Sequence, residues 1–246
     1  MLIYGRRPVL DAAREGRARR ILLARGVEKR LVREVEETGV PYQWTSRVEL
    51  ARLVGTTRHQ GIAAFVEDLD YADPEAPFRR AESLGEQPLL VLLDGVTDPQ
   101  NYGAIIRSAE ALGAHGVVSE ERRSAPLSAA TLKASAGAAA RIPLVRVKNL
   151  PRYIEELKAR GVWVYGLAGE GERTLEEADY RRPLALVVGS EGRGMRRLVR
   201  ERCDELIRIP LRGSTPALNA SVAAGIALYR AWQGREASGG PAGPAD

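Results

Sequence analysis

The chain has 246 residues, of which 44% are apolar, with a single cysteine and two histidines. One cysteine excludes an intrachain disulfide and a cysteine-based metal cluster, and two histidines argue against a histidine-rich metal site. No apolar run approaches the roughly 18 residues of a membrane span, and the N-terminus lacks the apolar stretch of a signal peptide. We therefore expect a soluble, cytoplasmic protein whose chemistry needs no metal.

The net charge of +5 is concentrated at one end of the chain. Residues 1–67 contain 13 Lys and Arg against 8 Asp and Glu, whereas the rest of the chain contains 24 of each sign. A basic module beside a neutral one is typical of a polyanion-binding part attached to a reaction domain, because phosphate attraction supplies most sequence-independent affinity for nucleic acids. A solvated charged surface is the alternative interpretation.

Residues 1–67 alternate short apolar runs with helical periodicity, which predicts a small α/β domain. The predicted strands are 2–4, 18–24, 41–44 and 61–67. The predicted helices are 8–16, 28–39 and 46–55. Residues 68–87 contain two prolines and mixed charge without a strand pattern, so we expect a linker there.

From residue 88, apolar strand runs alternate with helical patterns, which favours a mainly parallel sheet covered on both faces. The predicted strands are 88–93, 115–118, 143–147, 162–167, 183–189 and 205–210. The predicted helices are 98–112, 128–137, 150–160, 195–203 and 217–232. The sequence thus predicts a two-domain α/β protein with its larger domain at 88–233 and a flexible tail at 234–246, which has nothing to bury.

Most of the residues that suggest chemistry fall in three segments next to the predicted strands. They read DGVTDPQNYGAIIR (94–107), VVGSEGRGM (187–195) and IPLRGSTPALNAS (209–221). Open α/β sheets bind their ligands at the carboxyl ends of the strands, where these loops should lie. This placement favours an enzyme over a passive domain.

The first segment leads into a predicted helix with Asp98 as its N-cap and Pro99 in its first turn. Asn101 falls in that first turn, and Arg107 follows about 9 Å along the helix axis. A helix start with a nearby guanidinium is typical of a phosphate or ribose site. The alternative is that Arg107 pairs with an acid such as Glu110 on its own helix.

The glycines of the second segment match neither GxGxxG nor GxxxxGK[ST], so nicotinamide and Walker-type sites lose their main support. Glu191, among these glycines, is either a solvated side chain or a buried anchor. The third segment enters a helix rich in small residues, which favours tight packing, a subunit interface or a plain core helix. Asn219, near the start of that helix, has the alternative role of a local cap.

Taken together, the three segments resemble the three motifs of the SpoU-type ribose 2′-O-methyltransferases, members of the SPOUT class. Residues 1–67, with YGRRPVLDAA and TTRHQGIAAFVED, are similar to the ribosomal-protein-like RNA-binding domain of the bacterial 23S ribosomal RNA guanosine-2′-O-methyltransferases. The resemblance covers about Ile3 to Trp232. It implies a trefoil-knotted catalytic domain, S-adenosyl-L-methionine as cofactor, an RNA substrate and a homodimer formed through the knotted domain.

The resemblance also implies roles for individual residues. The catalytic positions of the family fall on Asn101, Arg107, Glu191 and Asn219. Its cofactor contacts, made largely through the backbone, fall on Leu167, Ala168, Gly189, Ile209 and Leu218. Many relatives have a serine where this chain has Ala217, and the hydroxyls that lie near enough to replace it belong to Ser214, Thr215 and Ser221.

The implied reaction is methyl transfer to a ribose 2′-hydroxyl, in which a group must receive the hydroxyl proton. Because a guanidinium stays charged, Arg107 is expected chiefly to fix a neighbouring phosphate and the developing alkoxide, with proton abstraction as the alternative. A guanosine of 23S ribosomal RNA is the expected substrate and transfer RNA the second choice. A non-catalytic RNA-binding or assembly factor is the competing class.

Three further residues have simpler interpretations. His115 leads a strand and is expected to be packed in the interior. His59, beside Arg58 in the basic domain, is open between an RNA contact and a turn-stabilising hydrogen bond. Cys203, near a helix end, is expected to be a small buried hydrophobe.

Overall fold

The protein is described by a computed structural model of residues 1–67 and 69–236. Its first part contains the strands Leu2–Tyr4 (β1), Ala18–Ala24 (β2), Tyr42–Thr45 (β3) and Ile62–Val66 (β4), and the helices Arg6–Arg14 (α1), Lys29–Glu37 (α2) and Arg47–Val54 (α3). The sheet order is β1-β4-β2-β3, with β2 and β3 parallel and the other pairs antiparallel. All elements predicted for residues 1–67 are present.

The second part is built on a seven-stranded sheet. Its strands are Leu89–Asp94 (β5), Gly116–Glu120 (β6), Leu144–Val147 (β7), Trp163–Leu167 (β8), Arg173–Thr174 (β9), Leu184–Gly189 (β10) and Glu205–Arg208 (β11). They lie in the order β7-β6-β5-β10-β8-β11-β9, and all pairings between these described strands are parallel. The predicted α/β fold with a mainly parallel sheet is confirmed, although the two-residue strand β9 was not predicted.

Among the described residues, six α-helices accompany this part of the chain. They are Ala76–Leu84 (α4), Pro99–Ala111 (α5), Ala129–Ser135 (α6), Leu150–Ala159 (α7), Arg197–Arg202 (α8) and Ala220–Glu236 (α9). Four of them begin at side-chain caps: Asp98 accepts from the N–H of Gln100 at 3.1 Å, Ser128 and Asn149 cap α6 and α7 in the same way, and Asn219 caps α9. None of the helices in the described residues is long and apolar enough to cross a membrane.

Both faces of the large sheet are covered, as β5 demonstrates. All of its residues are buried, with Leu89, Val91 and Leu93 packed into the core on the α5 and α9 side. Leu90 and Leu92 pack into a second core on the α7 side. This two-sided burial explains why the parallel strands read as continuous apolar runs rather than alternating patterns.

The segment predicted as a linker contains the helix α4, so it is not a structureless connection. Ala72 forms an isolated bridge with Val145 of β7, and the guanidinium of Arg160 lies 3.7 Å from the ring centroid of Phe78 on α4. Nine residues with a proline in the first turn are too few to show a clear period in the sequence. The domain boundaries themselves stay a prediction.

The predicted start of the tail is wrong by three residues, because α9 continues to Glu236. The guanidinium of Arg235 holds this last turn by donating to the carbonyl oxygens of Gln87 (2.5 Å) and Pro88 (3.0 Å). The rest of the predicted tail, residues 237–246, lies outside the described residues.

The small domain contacts the large one through α6 and its neighbourhood. The ammonium of Lys133 on α6 lies 4.6 Å from the ring centroid of Tyr4 at the end of β1. The guanidinium of Arg141 pairs with Glu15 of the small domain at 3.0 Å and with Glu110 of α5 at 2.8 Å. One arginine thus joins the small domain to the helix that follows β5.

Candidate active site

The sheet register places the first two segments side by side. Strands β5 and β10 are parallel neighbours, and Asp94 lies opposite Gly189 at their carboxyl ends. The chain leaves β5 toward Asn101 and leaves β10 toward Glu191, so both loops rise from the same point of the sheet edge. The sequence order alone did not show that the two strands are adjacent, because the paired residues Asp94 and Gly189 are 95 positions apart.

One side chain joins all three segments. The amide nitrogen of Asn219, just before α9, donates to Oδ1 of Asn101 at 2.9 Å and also to Oε1 of Glu191. Asn101 is buried at the start of α5, whereas Glu191 is exposed yet paired. Three of the four predicted catalytic residues therefore form one hydrogen-bonded group, which we call the Asn-Glu-Asn group.

The alternative role of Asn219 as a helix cap is confirmed. Its Oδ1 accepts from the N–H groups of Ser221 (2.9 Å) and Val222 (3.3 Å) at the start of α9. The Ser221 hydroxyl donates to the same oxygen at 2.6 Å, so it is already engaged. Both donors and the acceptor of the Asn219 amide are thus used within the protein.

Arg107 stands apart from this group. It is exposed on α5 and has no hydrogen-bond or ion-pair partner among the residues that the structure describes. The alternative pairing with Glu110 is wrong, because the Glu110 carboxylate binds Arg141 instead. The Arg107 guanidinium is therefore free to meet an anion from outside.

A cavity of about 630 Å³ opens beside the Asn-Glu-Asn group. Its walls combine apolar side chains with the glycines of the second segment, and Glu191 reaches its rim. All five residues predicted to contact the cofactor line it, namely Leu167, Ala168, Gly189, Ile209 and Leu218. Ala217 also lines the cavity, and it has a methyl group at the position where the family resemblance implies a hydroxyl.

The segment between β11 and α9 offers its backbone to this cavity. Within the described residues, the main-chain groups of residues 210–218 make no intramolecular hydrogen bond. Leu211, Pro216 and Leu218 from this stretch line the cavity. Because backbone N–H and C=O groups are strong donors and acceptors that need partners, this wall is suited to a polar, flat ligand.

Gly189 is needed at its position because two backbone segments of the chain approach each other closely there. A Cβ atom at Gly189 would lie 2.3 Å from the carbonyl carbon of Gly194 and 2.4 Å from the nitrogen of Met195. This approach closes the turn 190–194, in which Ser190 and Gly194 bond through both backbone groups. The cavity wall therefore depends on the absence of a side chain.

A buried charged cluster beneath the loops was missed by the sequence analysis. Asp94 accepts from the backbone N–H (2.7 Å) and the guanidinium Nε (2.6 Å) of Arg196. Nη2 of Arg196 lies 2.8 Å from Glu120 at the end of β6, an ion pair that is not aligned as a hydrogen bond. The available signal was an acidic residue ending each of two apolar strands. This cluster ties the loop after β10 to β5 and β6.

The two histidines and the cysteine have structural roles. His59 is buried, and its Nδ1 accepts from the N–H of Gly61 at 3.0 Å, so the turn-stabilising interpretation is correct. His115 is packed in the interior as predicted. Burial raises the pKa of the Cys203 thiol to about 12, which fits a small, unreactive hydrophobe.

The site can therefore hold two reactants next to each other. The cavity provides apolar walls and unpaired backbone groups, and the Asn-Glu-Asn group provides polar atoms at its edge. In the described structure, Nδ2 of Asn101 and Oε2 of Glu191 have no bonded partner and remain available to a ligand. Such an arrangement suits transfer of a group from a bound donor to a polar acceptor.

Comparison with known proteins gives the same picture over most of the chain. Residues 88–229 match the model of the SpoU rRNA Methylase family, and residues 2–72 match the model of RNA 2′-O ribose methyltransferase substrate binding. YacO of Bacillus subtilis (strain 168), whose name places it in the TrmH family of tRNA/rRNA methyltransferases, is 42% identical over 215 residues, covering 87% of this chain and 86% of that protein. An uncharacterized tRNA/rRNA methyltransferase of Mycobacterium avium (strain 104) is 45% identical over 233 residues, covering 92% and 75%.

Solved structures agree with these relatives. The SpoU methyltransferase AviRb from Streptomyces viridochromogenes, in complex with the cofactor AdoMet, superposes with a TM-score of 0.78 at 28% identity, covering 96% of this chain and 91% of that one. The AdoMet-bound rRNA methyltransferase from Sinorhizobium meliloti superposes with a TM-score of 0.75 at 26% identity, covering 94% and 86%. The chain, with three loops meeting beside one cavity at the sheet edge, belongs to the SpoU family of RNA methyltransferases.

Proposed function

We propose that this protein transfers a methyl group from S-adenosyl-L-methionine to the ribose 2′-hydroxyl of a guanosine in 23S ribosomal RNA. The observation that carries the proposal is the Asn-Glu-Asn group at the mouth of the cavity, which brings the three segments together. The match of residues 2–72 to a ribose-methyltransferase substrate-binding model supports the 2′-hydroxyl as acceptor.

The cavity fits S-adenosylmethionine, which supplies an electrophilic methyl group on a sulfonium. Its volume of about 630 Å³ is that of a small-molecule site, and the five predicted contacts line it. The unpaired backbone of residues 210–218 can bond the edge of an adenine, and the apolar walls around Leu218 suit a centre that loses its positive charge during transfer. AviRb, with a similar fold, binds this cofactor.

The residues divide the work of the reaction by their chemistry. Asn219 acts as a positioning residue, since its amide is fully engaged within the protein. Nδ2 of Asn101 can donate to the hydroxyl oxygen, and Oε2 of Glu191 can accept the hydroxyl hydrogen. Among the four predicted catalytic side chains, only Glu191 has a carboxylate that can take up the proton. The free guanidinium of Arg107 holds the neighbouring phosphate and stabilises the developing alkoxide.

Substitutions at the two charged positions test this division. Arg107→Lys and Glu191→Gln should each reduce the rate of methyl transfer about 100-fold, because one loses bidentate anion binding and the other loses the proton acceptor. Calorimetry should find affinity for S-adenosylmethionine close to that of the natural chain in both. Near-full turnover of Arg107→Lys at neutral pH would contradict the role of Arg107, and full turnover of Glu191→Gln that of Glu191.

The choice of ribosomal RNA depends on the basic first domain, whose net charge accounts for the whole excess of the chain. Transfer RNA is the second candidate, because the names of the similar Bacillus and Mycobacterium proteins include both RNAs. Mapping tritiated methyl groups on total cellular RNA distinguishes the two. Label confined to transfer RNA would overturn the ribosomal assignment, and absence of both cofactor binding and label would favour a non-catalytic RNA-binding factor.

We also propose that the protein acts as a homodimer with the trefoil knot that the family resemblance implies. Helix α9 carries an apolar stripe on one face, whose members are 40% to 48% exposed: Val222, Ile226, Tyr229 and Trp232. Their spacing of three and four residues keeps them on one side of the helix. A second copy of the chain is the occupant expected for this stripe, because α9 begins directly after Asn219 and the stripe therefore lies next to the site.

A further inference from the structure

Four arginines of the small domain meet at one edge of its sheet. The parallel strands β2 and β3 end together, since Ala24 lies opposite Thr45. The antiparallel strand β4 begins at this edge and β1 ends there. The arginines that follow or precede these strand ends, here called the arginine edge, are Arg7, Arg25, Arg47 and Arg58.

The side chains of the arginine edge are exposed and have no hydrogen-bond or ion-pair partner in the described part of the chain. Other arginines of the domain are paired with carboxylates: Arg6 with Glu34 at 2.8 Å and Arg30 with Glu34 at 3.1 Å, for example. Four further basic residues of this domain also lack an ion-pair partner among the described residues, namely Arg20, Lys29, Arg33 and Arg52. These four are divided between β2, α2 and α3, whereas the arginines of the edge lie together where three strands end.

Local stability does not explain this placement. Arg7 lies in the first turn of α1 and Arg47 in the first turn of α3. The N-terminus of a helix carries partial positive charge, so a cation there is unfavourable. The same N-termini add to the positive potential of the edge and favour a bound anion. A bound polyanion would be attracted both by these arginines and by the helix N-termini.

The arginine edge also lies beside the catalytic side of the large domain. Tyr4 at the end of β1 and Pro8 in the first turn of α1 share a small interdomain cavity with Ala129 and Lys133 of α6. Helix α6 follows the carboxyl end of β6 and packs closely on α5, where a Cβ atom on Gly103 would lie 2.5 Å from the carbonyl oxygen of Thr131. The edge therefore continues the surface that carries the helix of Asn101 and Arg107.

We propose that the arginine edge is the surface that binds the phosphate backbone of the RNA substrate and aligns it with the active site. The proposal rests on the proposed function for the identity of the ligand. Arginine contacts with phosphates set the register of the RNA without reading its bases. The target nucleotide is then selected by contacts nearer the cavity.

The test compares two variants with the same change in charge. The edge variant is R7Q/R25Q/R47Q/R58Q. The control, R14Q/R19Q/R20Q/R52Q, removes four arginines near the opposite ends of the strands and helices. Binding to deproteinised 23S ribosomal RNA is measured at several salt concentrations, together with S-adenosylmethionine affinity and the melting temperature.

The edge variant should bind RNA about 100-fold more weakly at physiological salt, and the slope of log affinity against log salt should fall by about 3, from the loss of four phosphate contacts. The control should keep a slope close to that of the natural chain. Equal losses in both variants, or an edge variant that binds normally, would overturn the proposal. If the edge variant fails to fold, R7Q/R47Q against R14Q/R52Q gives the same comparison.

Failure of this proposal is distinguishable from failure of the proposed function. Normal RNA binding by the edge variant, with methyl transfer by the natural chain intact, rejects only the surface. Conversely, an edge variant that loses RNA binding while the natural chain neither binds S-adenosylmethionine nor transfers methyl groups supports the surface and rejects the methyltransferase. Retained cofactor affinity in the edge variant shows that the large domain is undisturbed.

Discussion

Asn219 makes five hydrogen bonds through one amide, and they serve two purposes. Its oxygen caps α9, and its nitrogen holds Asn101 and Glu191 together. The sequence suggested both roles as alternatives, because a cap and a motif residue have the same identity and position. Only the three-dimensional contact with Asn101, 118 residues away, shows that one side chain does both.

Substitution by serine separates these purposes. Asn219→Ser should leave the free energy of unfolding within about 0.5 kcal/mol of the natural value, because serine caps helices as well as asparagine. The rate of methyl transfer should fall about 100-fold, since the nitrogen that aligns Asn101 and Glu191 is lost. Denaturant unfolding and single-turnover methyl transfer measure the two effects.

The matched control is Asn219→Ala, which loses the cap as well and should cost about 1 kcal/mol of stability. It should be as slow as the serine variant. Full activity of Asn219→Ser would contradict the positioning role, and equal stability of the two variants would contradict the capping role.

At the scale of elements, periodicity and caps predicted the structure well where each segment is long enough to show a period. Asp98 and the alternation of apolar runs located α5 and most strands, and the structure confirms them. The helix α4 and the strand β9 were missed because their stability comes from packing, such as Arg160 on Phe78, and not from local pattern. Strand order was also beyond the sequence, since pairing partners such as β5 and β10 are distant in the chain.

Helices α5 and α6 approach so closely at Gly103 that a side chain at this position would not fit between them. A Cβ atom at Gly103 would lie 2.5 Å from both the Cβ of Ala134 and the carbonyl oxygen of Thr131. Gly103→Ala should therefore destabilise the protein by about 1–3 kcal/mol and weaken methyl transfer, because α5 carries Asn101 and would have to move. Thermal unfolding and turnover measure these effects.

Gly225 on α9 provides the control for that substitution. A Cβ atom there would lie 3.6 Å from Oγ of Ser108, which is ordinary contact. Gly225→Ala should be neutral or stabilise by up to about 1 kcal/mol, because alanine is the better helix former. A stable, active Gly103→Ala variant would show that α5 and α6 can separate without consequence for the site.

At the scale of the whole molecule, the sequence named residues that the structure brings together, but it did not show how they are arranged. The motifs named the Asn-Glu-Asn group and the five residues that line the cavity, and the structure brings these together. The cluster of Asp94, Arg196 and Glu120 was not predicted, because a buried ion pair depends on strand neighbours that the sequence does not reveal. The sequence also did not show that Arg107 is unpaired, because this depends on Arg141, a residue distant in the chain that forms an ion pair with Glu110.

Assembly of two chains is tested at the centre of the α9 stripe. Ile226→Glu places a carboxylate among apolar side chains and should convert the proposed dimer to a monomer, because burying an unpaired charge costs several kcal/mol. Sedimentation velocity measures the mass. As a control, Gln233→Glu adds the same charge at the end of the helix and should leave the dimer intact. A monomeric natural chain, or a dimeric Ile226→Glu variant, would contradict the assignment of this face.

A histidine at the edge of the sheet opposite the site should make stability depend on pH. His115 is buried there, and its Nδ1 accepts from the N–H of Leu89 at 3.0 Å while its Nε2 faces Glu86 at 3.2 Å. Burial, followed by the positive charges of Arg235 and Arg80, lowers the pKa of His115 to about 4. The folded protein therefore keeps this histidine neutral at pH values where the unfolded chain binds a proton.

The unfolded chain binds the additional proton, so the contribution of His115 to the free energy of unfolding should be fully present above pH 6.5. It should be lost as the pH drops from 6.5 toward 4, by about 3 kcal/mol in total. Carboxylates also titrate at the lower end, so the relevant quantity is the difference from a variant that does not titrate here. His115→Asn keeps an acceptor for the Leu89 N–H and should lose this part of the pH dependence. Denaturant unfolding of both proteins between pH 7.5 and 4.5 measures the difference, and parallel curves would show that His115 is protonated equally in the folded and unfolded states.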